Sequence, residues 1–137
     1  MSSPAAPVYR PLGCRLAPLL PAIVASILPV FLIGALAGPM GDDLGFGEAT
    51  TGLLMAAFFA CSALVAQRAG AVADAVGPVT SLQFGLTGSG PAALAVGTIG
   101  RSVPVPAVAM MLGGACNALT QVAANVYVAR HLPGERH

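Results

Sequence analysis

The spacing of the charges constrains this chain more than any other feature. Its 137 residues include six basic and five acidic side chains. After Arg15 the next charge is Asp42, and after Glu48 it is Arg68. After Asp74 comes Arg101, and after Arg101 comes Arg130. Each gap holds about 19 residues or more, enough for a helix to cross a hydrocarbon core of about 30 Å. A charge at the centre of a spanning helix raises the free energy of insertion by roughly 3 kcal/mol. Four such gaps in succession point to a bilayer.

The rest of the composition agrees. Charged residues make up 8 % of the chain and hydrophobic ones 56 %, against roughly 25 % charged in ordinary globular domains. Too little charge is present to build a water-facing surface. A net charge of +1 gives no footprint for nucleic acid. Backbone groups in lipid must be paired within the segment, so each run is read as helix rather than strand. The expected class is all-α and integral to the membrane. The four transmembrane helices fall at about Pro18–Met40, Thr50–Gln67, Val79–Gly100 and Pro104–Ala129. The first run is longer than the apolar core of a signal peptide, so it is read as a retained span. Short connections predict that sequential helices run antiparallel and pack as neighbours.

Orientation follows from the arginines. With the N-terminus in the cytoplasm, Arg10, Arg15, Arg68, Arg130 and Arg136 lie inside and only Arg101 outside. Residues 1–17 are then a cytoplasmic segment, and 130–137 a cytoplasmic end. The acidic loop Gly41–Ala49 faces outward. Cys14, Cys61 and Cys116 are widely separated and act as small apolar residues. His131 and His137 lack the company a metal site needs, so no metal or other cofactor is expected.

Small residues recur inside the runs. Gly34 and Gly38 form a small-xxx-small spacing in helix 1, and Gly113, Gly114 and Ala118 thin one side of helix 4. Such residues let helices approach closely in lipid. Pro91 is expected to bend or weaken helix 3 near its middle. Helix 4 also carries Asn117, Gln121 and Asn125 at i, i+4 and i+8, hence on one face, flanked by Thr120. Amides in mid-membrane face a bundle interior or a watery cavity, so this face either glues helices together or meets a solute.

Between helices 2 and 3 the chain reads Gly70-Ala-Val72-Ala73-Asp74-Ala-Val76-Gly77. Gly70 and Gly77 suit a tight turn, and Pro78 suits the first turn of helix 3. This segment resembles the loop 2–3 signature of the major facilitator superfamily. Asp43–Val65 is similar to that family's first outer loop and second helix, and Gly113–Arg136 to its fourth helix and exit. The chain departs from the family where basic residues usually follow, at Ala75, Pro78, Val79 and Thr80. Helix 4 also lacks the arginine common in proton-coupled drug antiporters, because Ala109 and Met110 precede its glycine pair.

The resemblance implies a secondary carrier of a small solute working by alternating access. It further implies that Asp74, with Arg130 as partner, holds cytoplasmic helix ends together in one state of the cycle. Helices 1 and 4 then line the central cavity, making Asn117, Gln121, Asn125, Thr120 and Ser26 candidate solute contacts. No ionisable side chain lies deep in any run, so no proton carrier is evident unless Asp42 or Asp43 serves. Nothing resembles a nucleophile–base pair, a phosphate loop or a redox motif, so no enzymatic activity is expected. Four helices rather than twelve suggest an N-terminal part that ends before helix 5. Its expected partners are lipid, solute and the remainder of the carrier, in the plasma membrane. The alternative is a small four-helix protein acting as a dimeric exporter or as an assembly subunit without transport. Small multidrug exporters need a membrane-embedded Glu in helix 1, which this chain lacks.

Overall fold

The computed structural model of the chain describes residues 16–44, 47–98 and 104–131. Arg10, Cys14, Arg15, Arg101, Arg136 and His137 lie outside the described residues. Within them the chain forms four helices and no strand: α1 Leu19–Leu44, α2 Glu48–Val76, α3 Pro78–Thr98 and α4 Pro104–His131. Proline opens α3 and α4, where its missing N–H deprives no intrahelical acceptor. Glu48 places an acid in the first turn of α2, favourable against the helix dipole.

The largest departure from the sequence expectation is the end of α2. The helix continues nine residues past Gln67, to Val76. Gly70 and Asp74 therefore lie inside its last turns, and only Gly77 separates α2 from α3. The charge at Arg68 marks a boundary of apolar sequence, which need not be the end of a helix. The following Ala-rich segment has strong helical propensity, and a single glycine weakens it by only about 1 kcal/mol. At 29 residues α2 is about 44 Å long and overshoots a hydrocarbon core of about 30 Å. Gly77 turns the chain with φ +90°, the only positive φ among the described residues. The outer connection shortens likewise, since Gly41–Leu44 belong to α1 and Glu48 and Ala49 to α2.

α1, α2 and α4 are each long and apolar enough to cross a membrane. α3 falls short of that composition because it carries Thr80, Ser81, Gln83, Thr87 and Ser89. Part of that polarity is returned to its own backbone. The Thr87 hydroxyl donates to the Gln83 carbonyl at 2.8 Å, and Ser89 to the Gly85 carbonyl at 2.7 Å. Its 21 residues give about 32 Å of helix, and it runs unbroken through Pro91.

Two apolar clusters mark the two ends of the bundle. One joins Leu19 and Ala22 of α1, Ala73 of α2, Leu82 of α3, and Ala123 and Ala124 of α4. The other joins Ile33, Leu54, Phe58, Val96, Ala109 and Met110. The start of α1 thus lies beside the end of α2, the start of α3 and the end of α4, so successive helices are antiparallel. They do not all pack as neighbours. α4 is the central helix, packed extensively against α2 and α3, while α1 lies more lightly on α4 and α3. The pairs α1–α2 and α2–α3 touch little. Short loops fix direction, but close packing follows the small residues.

Those residues set the crossings. A Cβ at Gly114 would overlap the Phe58 carbonyl oxygen and lie 3.2 Å from Phe58 Cα, so backbone meets backbone between α4 and α2. A Cβ at Gly85 would overlap the Thr120 hydroxyl and lie 2.9 Å from the Cys116 carbonyl oxygen, which fixes α3 on α4. Close approach gives these seams the van der Waals contact that must replace a hydrophobic drive in lipid. Gly34 and Gly38 act differently. A Cβ at Gly34 meets only the Met55 methyl, at 3.2 Å, and one at Gly38 meets nothing within 4 Å.

Candidate functional site

The amide face of α4 divides along its length. Asn117 is buried at a junction of three helices. Its Oδ1 accepts from the Ser26 hydroxyl of α1 at 3.0 Å, and its Nδ2 donates to the Ser62 hydroxyl of α2 at 3.2 Å. Ser26 also lies 2.8 Å from the Ile23 carbonyl of its own helix. Thr120 is fully buried and returns its hydroxyl to the Cys116 carbonyl at 2.9 Å. The polar atoms of Asn117, Ser26 and Thr120 are therefore engaged within the bundle, which satisfies groups that lipid cannot.

One turn further, Gln121 is half-buried, and a turn beyond that Asn125 is exposed. No protein hydrogen bond to either side chain is found among the described residues. Asn125 sits in the wall of a groove of about 570 Å³ between the start of α1 and the end of α4. The other walls are apolar: Leu16, Ala17, Leu19, Leu20 and Ile23 on the α1 side, Ala124 and Val128 on α4. An unpaired amide in an apolar groove can offer both a donor and an acceptor to a ligand. A second groove of about 520 Å³ lies between α3 and α4, lined by Pro91, Ala92, Val108 and other apolar residues.

At the same end of the bundle as Asn125, Arg130 Nη2 donates to Asp74 Oδ1 at 2.8 Å. The pair ties the last turn of α4 to the last turn of α2. Arg130 complements the dipole of its own helix, whereas Asp74 opposes the dipole of α2. Both side chains are exposed, so the pair contributes at most about 1 kcal/mol to stability. Gly70 and Gly77 have different duties. Gly77 supplies the left-handed turn, while a Cβ at Gly70 would meet nothing within 4 Å. No cluster of His, Cys, Asp or Glu able to hold a metal is present among the described residues. Cys61 and Cys116 are free and half-buried.

Sequence reasoning missed Ser62, Gly85 and Gly88. Ser62 is a lone hydroxyl in an apolar run, and only its position opposite Asn117 gives it meaning. Gly85 and Gly88 are small residues spaced at three in α3, the kind of signal read in α1 and α4.

Antiparallel helices with glycine seams and a hydrogen-bonded Ser26–Asn117–Ser62 junction in their interior, three of the helices able to span a bilayer, define a polytopic helical membrane protein. A sequence profile of the Major Facilitator Superfamily matches residues 19–137, across all four helices. The chain belongs to that superfamily, a family of membrane transporters. No curated protein and no solved structure matches it significantly.

Proposed function

We propose that this chain forms the first four helices of a secondary carrier that moves a small solute by alternating access. The observation that carries the reading is the family match across α1 to α4. It does not favour a free-standing four-helix exporter or an assembly subunit. α3 serves as the fourth span, and further helices, on the same or another polypeptide, complete the cavity. The positive-inside bias supports a cytoplasmic N-terminus, and the plasma membrane is the proposed location.

Within this reading Gln121 and Asn125 touch the solute, and the α1–α4 groove is part of its route. Asn117, Thr120 and Ser26 stand behind them, holding α4 in register with α1 and α2. The Asp74–Arg130 pair closes the cytoplasmic end in one state of the cycle and breaks in the other. A weak exposed pair suits such a switch, because small differences between states can open it.

The test is transport in the host membrane. Gln121→Ala and Asn125→Ala should lower uptake or efflux of at least one solute in a mass-spectrometric panel, at unchanged membrane abundance. Transport of every solute at the wild-type rate by both variants would remove them from the solute path. Intact mass in that membrane separates the two arrangements: about 13.5 kDa means a separate partner chain, and a larger mass means one polypeptide.

A further inference from the structure

Midway along α1 two features loosen the helix at one level. Pro29 is inside α1 and fully buried. It has no N–H, so the Ala25 carbonyl loses its partner in the helical ladder. One turn earlier, Ser26 has a single hydroxyl proton and two acceptors. The Ile23 carbonyl lies at 2.8 Å on its own helix, and Asn117 Oδ1 at 3.0 Å on α4. A proton given to one is withheld from the other. The bond between helices thus competes with one inside α1: releasing it keeps the Ser26 hydroxyl paired with the Ile23 carbonyl and leaves only Asn117 Oδ1 short of a donor, which is what makes the bond a latch.

The two halves of α1 on either side of this level are held differently. Beyond it, Pro29 rests on α4, its Cγ 3.6 Å from a Cβ built at Gly113, and Ile33 is buried with Leu54, Phe58 and Met110. Before it, Leu19 and Ala22 make apolar contacts alone, and lipid can replace such contacts with little loss. Leu19, Leu20 and Ile23 of this half also form a wall of the groove that holds Asn125.

We propose that the first half of α1 is a hinged wall. It swings about Ala25–Pro29 and is latched by the Ser26–Asn117 bond, so the groove at Asn125 opens while the rest of the bundle stays fixed. The inference rests on the packing of α1 and stands or falls apart from the transport reading.

The test uses the whole chain in lipid nanodiscs, with native cysteines replaced by serine and spin labels placed in pairs at exposed positions. Leu20→Cys with Phe84→Cys reports the hinged half, and Phe31→Cys with Val108→Cys the anchored half. Leu64→Cys with Leu112→Cys reports the α2–α4 core. All six positions are exposed. The wild-type chain should show two distances for the first pair and one for each of the others. Ser26→Ala should shift the first pair toward the longer distance, and Ser26→Thr, which keeps the hydroxyl, should preserve the wild-type distribution. Pro29→Ala, which restores the ladder donor, should leave a single short distance. A first pair insensitive to both Ser26→Ala and Pro29→Ala overturns the hinge. So does a Ser26→Ala change that moves all three pairs alike, since Ser26 would then be only a packing group.

Discussion

Gly113 and Gly114 are adjacent in sequence, yet alanine should be costly at Gly114 and nearly neutral at Gly113. A Cβ at Gly114 overlaps the Phe58 carbonyl oxygen and lies 3.0 Å from its carbon and 3.2 Å from Phe58 Cα. Carbon atoms rest comfortably at about 3.5–4.0 Å. Every obstructing atom is backbone, so relief requires α2 and α4 to separate. A gap of even 0.5–1 Å forfeits roughly a quarter to a half of the dispersion energy across the seam. Overpacking of this kind destabilises by about 1–3 kcal/mol, and a backbone obstacle places Gly114→Ala at the upper end. The better helix propensity of alanine returns about 1 kcal/mol. The net loss is about 2 kcal/mol, or roughly 30-fold in the folding constant. At Gly113 the nearest atoms are side-chain carbons of Phe58 at 3.3 and 3.5 Å and Pro29 Cγ at 3.6 Å. A ring can turn aside at a modest steric cost, which the same gain of about 1 kcal/mol in helix propensity offsets, so Gly113→Ala should stay within about 0.5 kcal/mol of wild type. Steric-trapping measurement of unfolding in bicelles reads both values. Equal effects of the two substitutions would refute the reasoning. So would rescue of Gly114→Ala by Phe58→Ala, which removes a side chain that is not the obstacle.

The two glycines of the family signature should also separate. Gly77→Ala forces alanine to φ +90° and should destabilise by about 1–2 kcal/mol, whereas Gly70→Ala, in open helix, should stabilise by up to about 1 kcal/mol in the same unfolding assay. A double-mutant cycle of Asn117→Ala with Ser62→Ala should give a coupling of about 0.6 kcal/mol, the typical value for hydrogen bonds between membrane helices, and zero coupling would deny that the junction is formed. Asp74→Arg and Arg130→Asp should each change stability by less than about 1 kcal/mol yet abolish transport. The double exchange should restore transport, and its failure to do so would separate the pair from the transport cycle.

What could be read from the residues was what lipid demands of composition. Charge spacing located the apolar runs because each charge is expensive at the bilayer centre, and the four helices occupy those runs. It did not locate helix ends, since a helix can continue into water past Arg68 as easily as it crosses lipid. The loop signature correctly placed a turn at Gly77, while its other members proved to be helical. Pairing between helices was less visible. Neighbours in sequence were expected to be neighbours in space, but contact depends on which faces carry small residues, and those of α3 face α4. The amide stripe was evident as a single face. Its division into the bonded Asn117 and the unpaired Asn125 depends on Ser26 and Ser62, which come from two distant segments.

The central position of α4 bears on how the bundle is made. Synthesis delivers helices in chain order, so α2 and α3 reach the membrane before the helix that each of them packs against most. The contacts of α1 with α2 and of α2 with α3 are sparse, so until α4 arrives α1 can rest on α3 while α2 is steadied mainly by lipid. The delay has a compensation. Asn117 is the amide buried most deeply, and it enters when Ser26 and Ser62 are already in the bilayer. Of the four, α4 is therefore both the helix that locks the others and the one whose polar burden the others are prepared to accept.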